Sequence, residues 1–96
     1  MVIFVDIDNT ICRSNPPEYG LAKPIKEQIN KINSLYNKGN TIIYWTARGC
    51  GPKDYNWFQI TLEQLKSWGC KFHELRLGKP YYDILICDKT RRIDEI

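Results

Sequence analysis

The sequence predicts an α/β fold: a single Rossmann-like, three-layer domain over residues 1–96, with a small parallel sheet of about four strands and no cap domain. Three observations carry this. Short, continuously apolar runs alternate with two stretches of helical periodicity, the pattern of parallel strands buried beneath helices. Each helical stretch ends at a glycine that leads into the next apolar run, Gly39 and Gly69. Ninety-six residues bury one compact core and leave little room for an inserted second domain.

Residues 2–7 read as the first strand, Val-Ile-Phe-Val-Asp-Ile. Residues 9–22 contain Asn15-Pro16-Pro17 and Gly20 and read as a loop. Lys23-Pro24 opens a helix, with proline in the first turn, where its missing N–H costs nothing. Ile25, Ile29, Ile32 and Leu35/Tyr36 then recur on one helical face. Thr41–Trp45 is β-branched and aromatic, a second strand ending at Thr46. A glycine-containing loop follows from Ala47 to Asp54. Residues 56–68 give a second helix with Phe58, Thr61/Leu62, Leu65 and Trp68 on one face. Residues 71–75 read as a third strand and Ile84–Cys87 as a short, wholly apolar fourth.

The formal charge of +3 is too mild to indicate nucleic-acid binding and suits an anionic small substrate. No apolar run approaches the roughly 20 residues of a membrane span, and no basic segment precedes the first apolar run, so neither a membrane segment nor a signal peptide is expected. Cys12, Cys50, Cys70 and Cys87 form no CxxC pair and only one histidine, His73, is present, which disfavours zinc. With no mark of secretion, reduced thiols in a cytoplasmic protein are expected.

Asp6 and Asp8 stand one residue apart at the end of the first strand. Alternation with period two sends both to one side, where like charges repel unless a cation lies between them or one is protonated. A divalent metal, a covalent carboxylate nucleophile, or both would account for the pair. Sites in open α/β sheets form at the carboxyl ends of the strands. That rule gathers Asp6, Asp8, Thr46, Arg48 and Asp88 on one edge, each following an apolar run. Lys79 reaches the same edge, because Pro80 to Asp83 suffice for the descent to the next strand at roughly 3.3 Å each. Asp83 lies about 16 Å from Asp88 along the strand, at the far edge and too far to share an ion, so Asp88 is the expected acid.

With these residues assembled, the chain resembles the haloacid dehalogenase-like superfamily of phosphotransferases. Asp6-Ile7-Asp8-Asn9-Thr10 resembles its DxDxT nucleophile motif, and Thr46 after a β-run its Ser/Thr motif. Lys79 within Gly78-Lys79-Pro80 resembles the lysine motif, and Ile86-Cys87-Asp88-Lys89 the acidic motif. More narrowly, Thr46-Ala47-Arg48-Gly49, the Gln64-Leu65-x-x-Trp68-Gly69 segment and Gly78-Lys79-Pro80 resemble capless phosphatases of capsule and surface-polysaccharide biosynthesis. Two positions depart from the pattern. Asn9 stands where glycine is common, and Cys87 stands where the near relatives have a first acid. Asparagine tolerates left-handed backbone, but a thiol does not replace a carboxylate toward Mg²⁺.

The resemblance implies a Mg²⁺-dependent phosphatase acting on a small phosphorylated metabolite, a sugar phosphate foremost, through an aspartyl-phosphate. In it Asp6 is the nucleophile and Asp8 carries the proton. Thr46 and Lys79 bind the phosphoryl oxygens. Asp6, Asp8 through its backbone carbonyl, and Asp88 hold the metal. Thr10, Ala47 through its amide, and Arg48 with its guanidinium fork contact substrate; Tyr55 and Trp57 are candidates to stack on a sugar or base. Without a cap the site is open, and a homodimer would let a neighbouring copy close it. The competing reading is a phosphate-binding or regulatory domain that has lost turnover through Cys87. A response-regulator receiver is disfavoured: no aspartate ends the second strand, and five strands need a longer chain.

Overall fold

The computed structural model of the chain describes residues 1–49 and 56–96. Cys50 and Tyr55, singled out above, lie outside the described residues. The elements are β1 (Val2–Val5), β2 (Cys12–Arg13), β3 (Lys23–Pro24), α1 (Lys26–Asn37), β4 (Thr41–Trp45), α2 (Trp57–Ser67) and β5 (Glu74–Arg76). Single 3₁₀ turns occur at Tyr19–Leu21 and Ile93–Glu95.

β1, β4 and β5 form a parallel sheet in that order, with Val5 beside Tyr44 and Tyr44 beside Leu75. Both crossovers step in the same direction across the sheet. Right-handed connections therefore place α1 and α2 over the same face. The packing agrees. Ile42 and Tyr44, which share a face of β4, join one core with Val5, Leu75, Ile29 and Ile32 of α1, Leu65 of α2 and Trp68. The α1 side chains also reach the end of α2: Lys26 Nζ donates to the Trp68 carbonyl at 3.2 Å, and Asn33 Nδ2 to the Gly69 carbonyl at 2.9 Å. Among the described residues the opposite face meets irregular chain and no helix, and Phe4 on it stays exposed. There Trp45 meets Phe4 edge-on at 5.7 Å and borders a groove shared with Tyr82, Ile84 and Leu85.

Two sequence expectations change in kind, and the third strand, expected over 71–75, forms over Glu74–Arg76. Lys23-Pro24 does not open the helix: it pairs with Cys12-Arg13 as a two-stranded ladder, and α1 starts at Lys26 after Ile25 in extended backbone. The proline thus lies two residues before the helix, in a short strand that ties the loop after Asp8 to the helix start. The second change is larger. Ile84–Cys87 forms no strand, so the sheet has three strands and not about four. Ile84 is 79% exposed and Ile86 94% exposed. An apolar run signals capacity for burial, but a strand exists only where a ladder partner is offered. β1 pairs β4 alone, and its outer side is left with Val2 and Phe4 exposed.

Gly49 is indispensable to the turn after β4. Its φ is +87°, and an added Cβ would stand 2.8 Å from Leu77 Cδ2. Gly49→Ala is therefore expected to cost about 1–3 kcal/mol. A urea unfolding midpoint equal to that of the native chain would contradict this.

Candidate functional site

The chain leaves β1 into a tight turn. Thr10 N and Ile11 N both donate to the Ile7 carbonyl, at 3.1 and 3.0 Å, and Asn9 N donates to the Cys12 carbonyl at 2.8 Å. Asn9 takes φ = 60°, the left-handed conformation expected of it in place of glycine. Ile7 is fully buried, an inward plug that leaves Asp6 and Asp8 on the other side of the strand end.

The two aspartates have different environments. Asp6 is the more open, with 37% of its side chain exposed against 18% for Asp8. Thr10 Oγ1 donates to Asp6 Oδ2 at 3.0 Å, and Lys79 Nζ stands 3.2 Å from Asp6 Oδ1. Lys79 is delivered by its own backbone, whose N–H donates to the Thr46 carbonyl at 3.1 Å. Its ammonium also lies 5.9 Å from the Trp45 ring centre and 5.3 Å from that of Tyr82. Burial lowers the Lys79 pKa, but the Asp6 charge and the Tyr82 and Asp6 hydrogen bonds outweigh it, leaving it above the ordinary 10.5. Lys79 is an ammonium at any physiological pH.

Asp8 is held by Arg48. Nε donates to Oδ2 at 2.9 Å and Nη2 to Oδ1 at 2.7 Å, a two-point fork. Nη1 donates to Gln64 Oε1 at 2.6 Å and to Thr61 Oγ1 at 3.2 Å. Gln64 Nε2 in turn donates to the Tyr19 carbonyl at 2.8 Å, and the guanidinium lies 5.0 Å from the Tyr19 ring centre. Arg48 is 0% exposed. The sequence reading made Arg48 a substrate ligand; its fork is instead taken up by Asp8 and α2. The repulsion between the two aspartates is therefore answered by two cations of the protein itself, Lys79 on Asp6 and Arg48 on Asp8.

Thr46 is fully buried, and its hydroxyl accepts the Arg48 N–H at 3.1 Å, fixing the turn that aims the arginine back at Asp8. Ala47 is half-buried in that turn. Thr10, expected to contact substrate, directs its hydroxyl to Asp6. Asp88 does not reach the pair. It is exposed, in contact with Cys87 Sγ at 3.7 Å, and among the described residues no three His, Cys, Asp or Glu side chains gather to hold a metal. The cause is the missing fourth strand: unpaired beside β1, the chain does not present Asp88 at its carboxyl end. Trp57 begins α2 and meets Tyr19 edge-on at 5.3 Å.

Tyr19, Thr61, Gln64 and Cys12 were not expected to contact the site residues, although Gln64 stands in the Gln64-Leu65-x-x-Trp68-Gly69 segment. Thr61 and Gln64 did carry a signal: two polar residues three apart beside the apolar face of α2 imply a buried polar partner. Cys12 is wholly buried, its thiol 3.7 Å from Asp8 Oδ1 and 3.6 Å from the Ile7 carbonyl. Burial first, and then the Asp8 charge, push it up to about 12. Cys12 should therefore resist iodoacetamide at pH 8 while exposed Cys87 is alkylated. Peptide mapping that found Cys12 modified in the folded protein would overturn this placement.

No family model matches the chain, and no curated protein does. Among solved structures, the crystal structure of a structural-genomics target from Vibrio cholerae is similar, with a TM-score of 0.85 and 24% identity over 98% of this chain and 85% of that one. That likeness shows the α/β fold. No described helix is long and apolar enough to cross a membrane.

Proposed function

We propose that the chain is a haloacid dehalogenase-like phosphatase that hydrolyses a small phosphate monoester, a sugar phosphate foremost, as in surface-polysaccharide synthesis. One observation carries the reading. A part-exposed carboxylate, Asp6, is held by Thr10 and Lys79 beside a second carboxylate, Asp8, anchored by a buried arginine. Such a division suits one group to attack and one to move a proton.

In this reading Asp6 Oδ attacks phosphorus, forming a P–O bond as the bond to the leaving oxygen breaks. Lys79 Nζ offsets charge on the phosphoryl oxygens. Asp8 gives a proton to the leaving alkoxide, then takes one from the water that opens the aspartyl-phosphate. Arg48 orients Asp8 for this. Each carboxylate oxygen accepts two hydrogen bonds, so Oδ2 keeps a position beyond Arg48 Nε for the shuttled proton. The part-exposed Asp6 carboxylate suits a small substrate, and a cytoplasmic setting belongs to the proposal.

Mg²⁺ belongs to the proposal through the oxygen chemistry of the Asp6 carboxylate and the Asp8 backbone carbonyl, where it would neutralise phosphoryl charge. The third expected ligand, Asp88, is off the site. The Asp6 carboxylate and the Asp8 carbonyl would hold the ion, with water completing its shell. The test is turnover of p-nitrophenyl phosphate with and without Mg²⁺. Turnover that requires the ion is expected; no turnover in either condition would leave the binding-domain alternative, which Cys87 in the acidic motif favours.

A further inference from the structure

A recess lies beside the turn that follows Asp8. The ladder of β2 and β3 sets Arg13 directly opposite Lys23. Like charges facing each other across a ladder destabilise it. Neither side chain has an ion-pair partner among the described residues, although Glu18 lines the same recess. The recess has a volume of about 320 Å³, and its wall includes Asn9, the residue after Asp8, together with Ser14 and Asn15. Ser14 Oγ is buried without a hydrogen-bond partner, while Ser14 N donates to Asn9 Oδ1 at 3.4 Å. Two exposed cations set opposite each other repel weakly through solvent, and an anion placed between them is attracted to both.

We infer that this recess binds a second anionic group of the substrate, a carboxylate or a second phosphate, carried on the leaving-group side of the scissile phosphate. The inference rests on the phosphatase reading for the seat of the first phosphate. It narrows the substrate class from any phosphate monoester to doubly anionic ones: an acidic sugar phosphate or a bisphosphate. Arg13 and Lys23 bind the second charge. Glu18 sets a limit on charge within the recess and disfavours more highly charged groups.

The test is equilibrium binding by calorimetry at low ionic strength, in an Asp6→Asn background that halts turnover. Two pairs of probes are compared: 3-phosphoglycerate with glycerol 3-phosphate, and fructose 1,6-bisphosphate with fructose 6-phosphate. In at least one pair the doubly anionic probe should bind about tenfold tighter or more. The pair showing the advantage identifies the group as carboxylate or phosphate. Arg13→Gln with Lys23→Gln should abolish that advantage, and Arg13→Lys should retain most of it. Both positions are exposed, so thermal unfolding should be little changed. Equal affinity within both pairs, or an advantage untouched by the double substitution, would overturn the inference. The phosphatase reading fails separately, if the native chain does not turn over p-nitrophenyl phosphate, and the binding comparison remains decisive in that event.

Discussion

Arg48→Met is expected to lower the free energy of unfolding by about 3–5 kcal/mol, the usual consequence of removing one partner of a buried pair. Arg48 is wholly buried and makes four side-chain hydrogen bonds, two to Asp8 and one each to Thr61 and Gln64. Removal leaves a largely buried carboxylate, a glutamine oxygen and a threonine hydroxyl without their donor. For a domain of this size such a loss is a large part of total stability. Asp8→Asn should also destabilise, because an amide nitrogen then faces the guanidinium. The double variant should lose less than the sum of the two, since neither charge is left alone. Urea unfolding of the four proteins decides it. Unchanged stability in Arg48→Met, with lost substrate affinity, would return Arg48 to the substrate-binding role that its sequence position suggested.

Asp6→Asn should do the reverse. Turnover of p-nitrophenyl phosphate should fall about a thousandfold or more, because an amide cannot form the acyl phosphate. Stability should move by no more than about 1 kcal/mol: the carboxylate is more than a third exposed, and ion pairs of that kind contribute little. The two aspartates thereby separate. On that outcome Asp6 would act in turnover with little hold on the fold, and Asp8 would act in both. Wild-type turnover by Asp6→Asn would remove the aspartyl-phosphate from the reading altogether.

Much of the fold was legible because its signals are local. β-Branched and aromatic runs marked β1 and β4, and the apolar stripes of α1 and α2 ended at glycines that do carry positive φ, +95° at Gly39 and +77° at Gly69. The rule that sites collect at strand ends named Asp6, Asp8, Thr46, Arg48 and Asp88, and chain length added Lys79; the structure brings all but Asp88 together. The failures share a different origin. Ile84–Cys87 has the composition of a buried strand, yet strand formation depends on a ladder partner elsewhere in the chain, and Asp88 was placed through that strand. Pro24 is compatible with a helix start and with a short strand alike; pairing with Cys12 chose the second.

From sequence alone came the alternation of elements, the direction of the sheet and a short list of candidate site residues, since periodicity, glycine position and strand-end placement are properties of neighbouring residues. Only the tertiary structure decided which cation answers which aspartate. Arg48 looks like a substrate ligand in a glycine-containing loop until α2 encloses it with Thr61 and Gln64, and Thr10 looks like one until the turn directs it to Asp6. Burial and hydrogen-bond partners arise between segments 13 to 40 residues apart in the case of Arg48, and no local pattern encodes which of several available groups a buried guanidinium will meet.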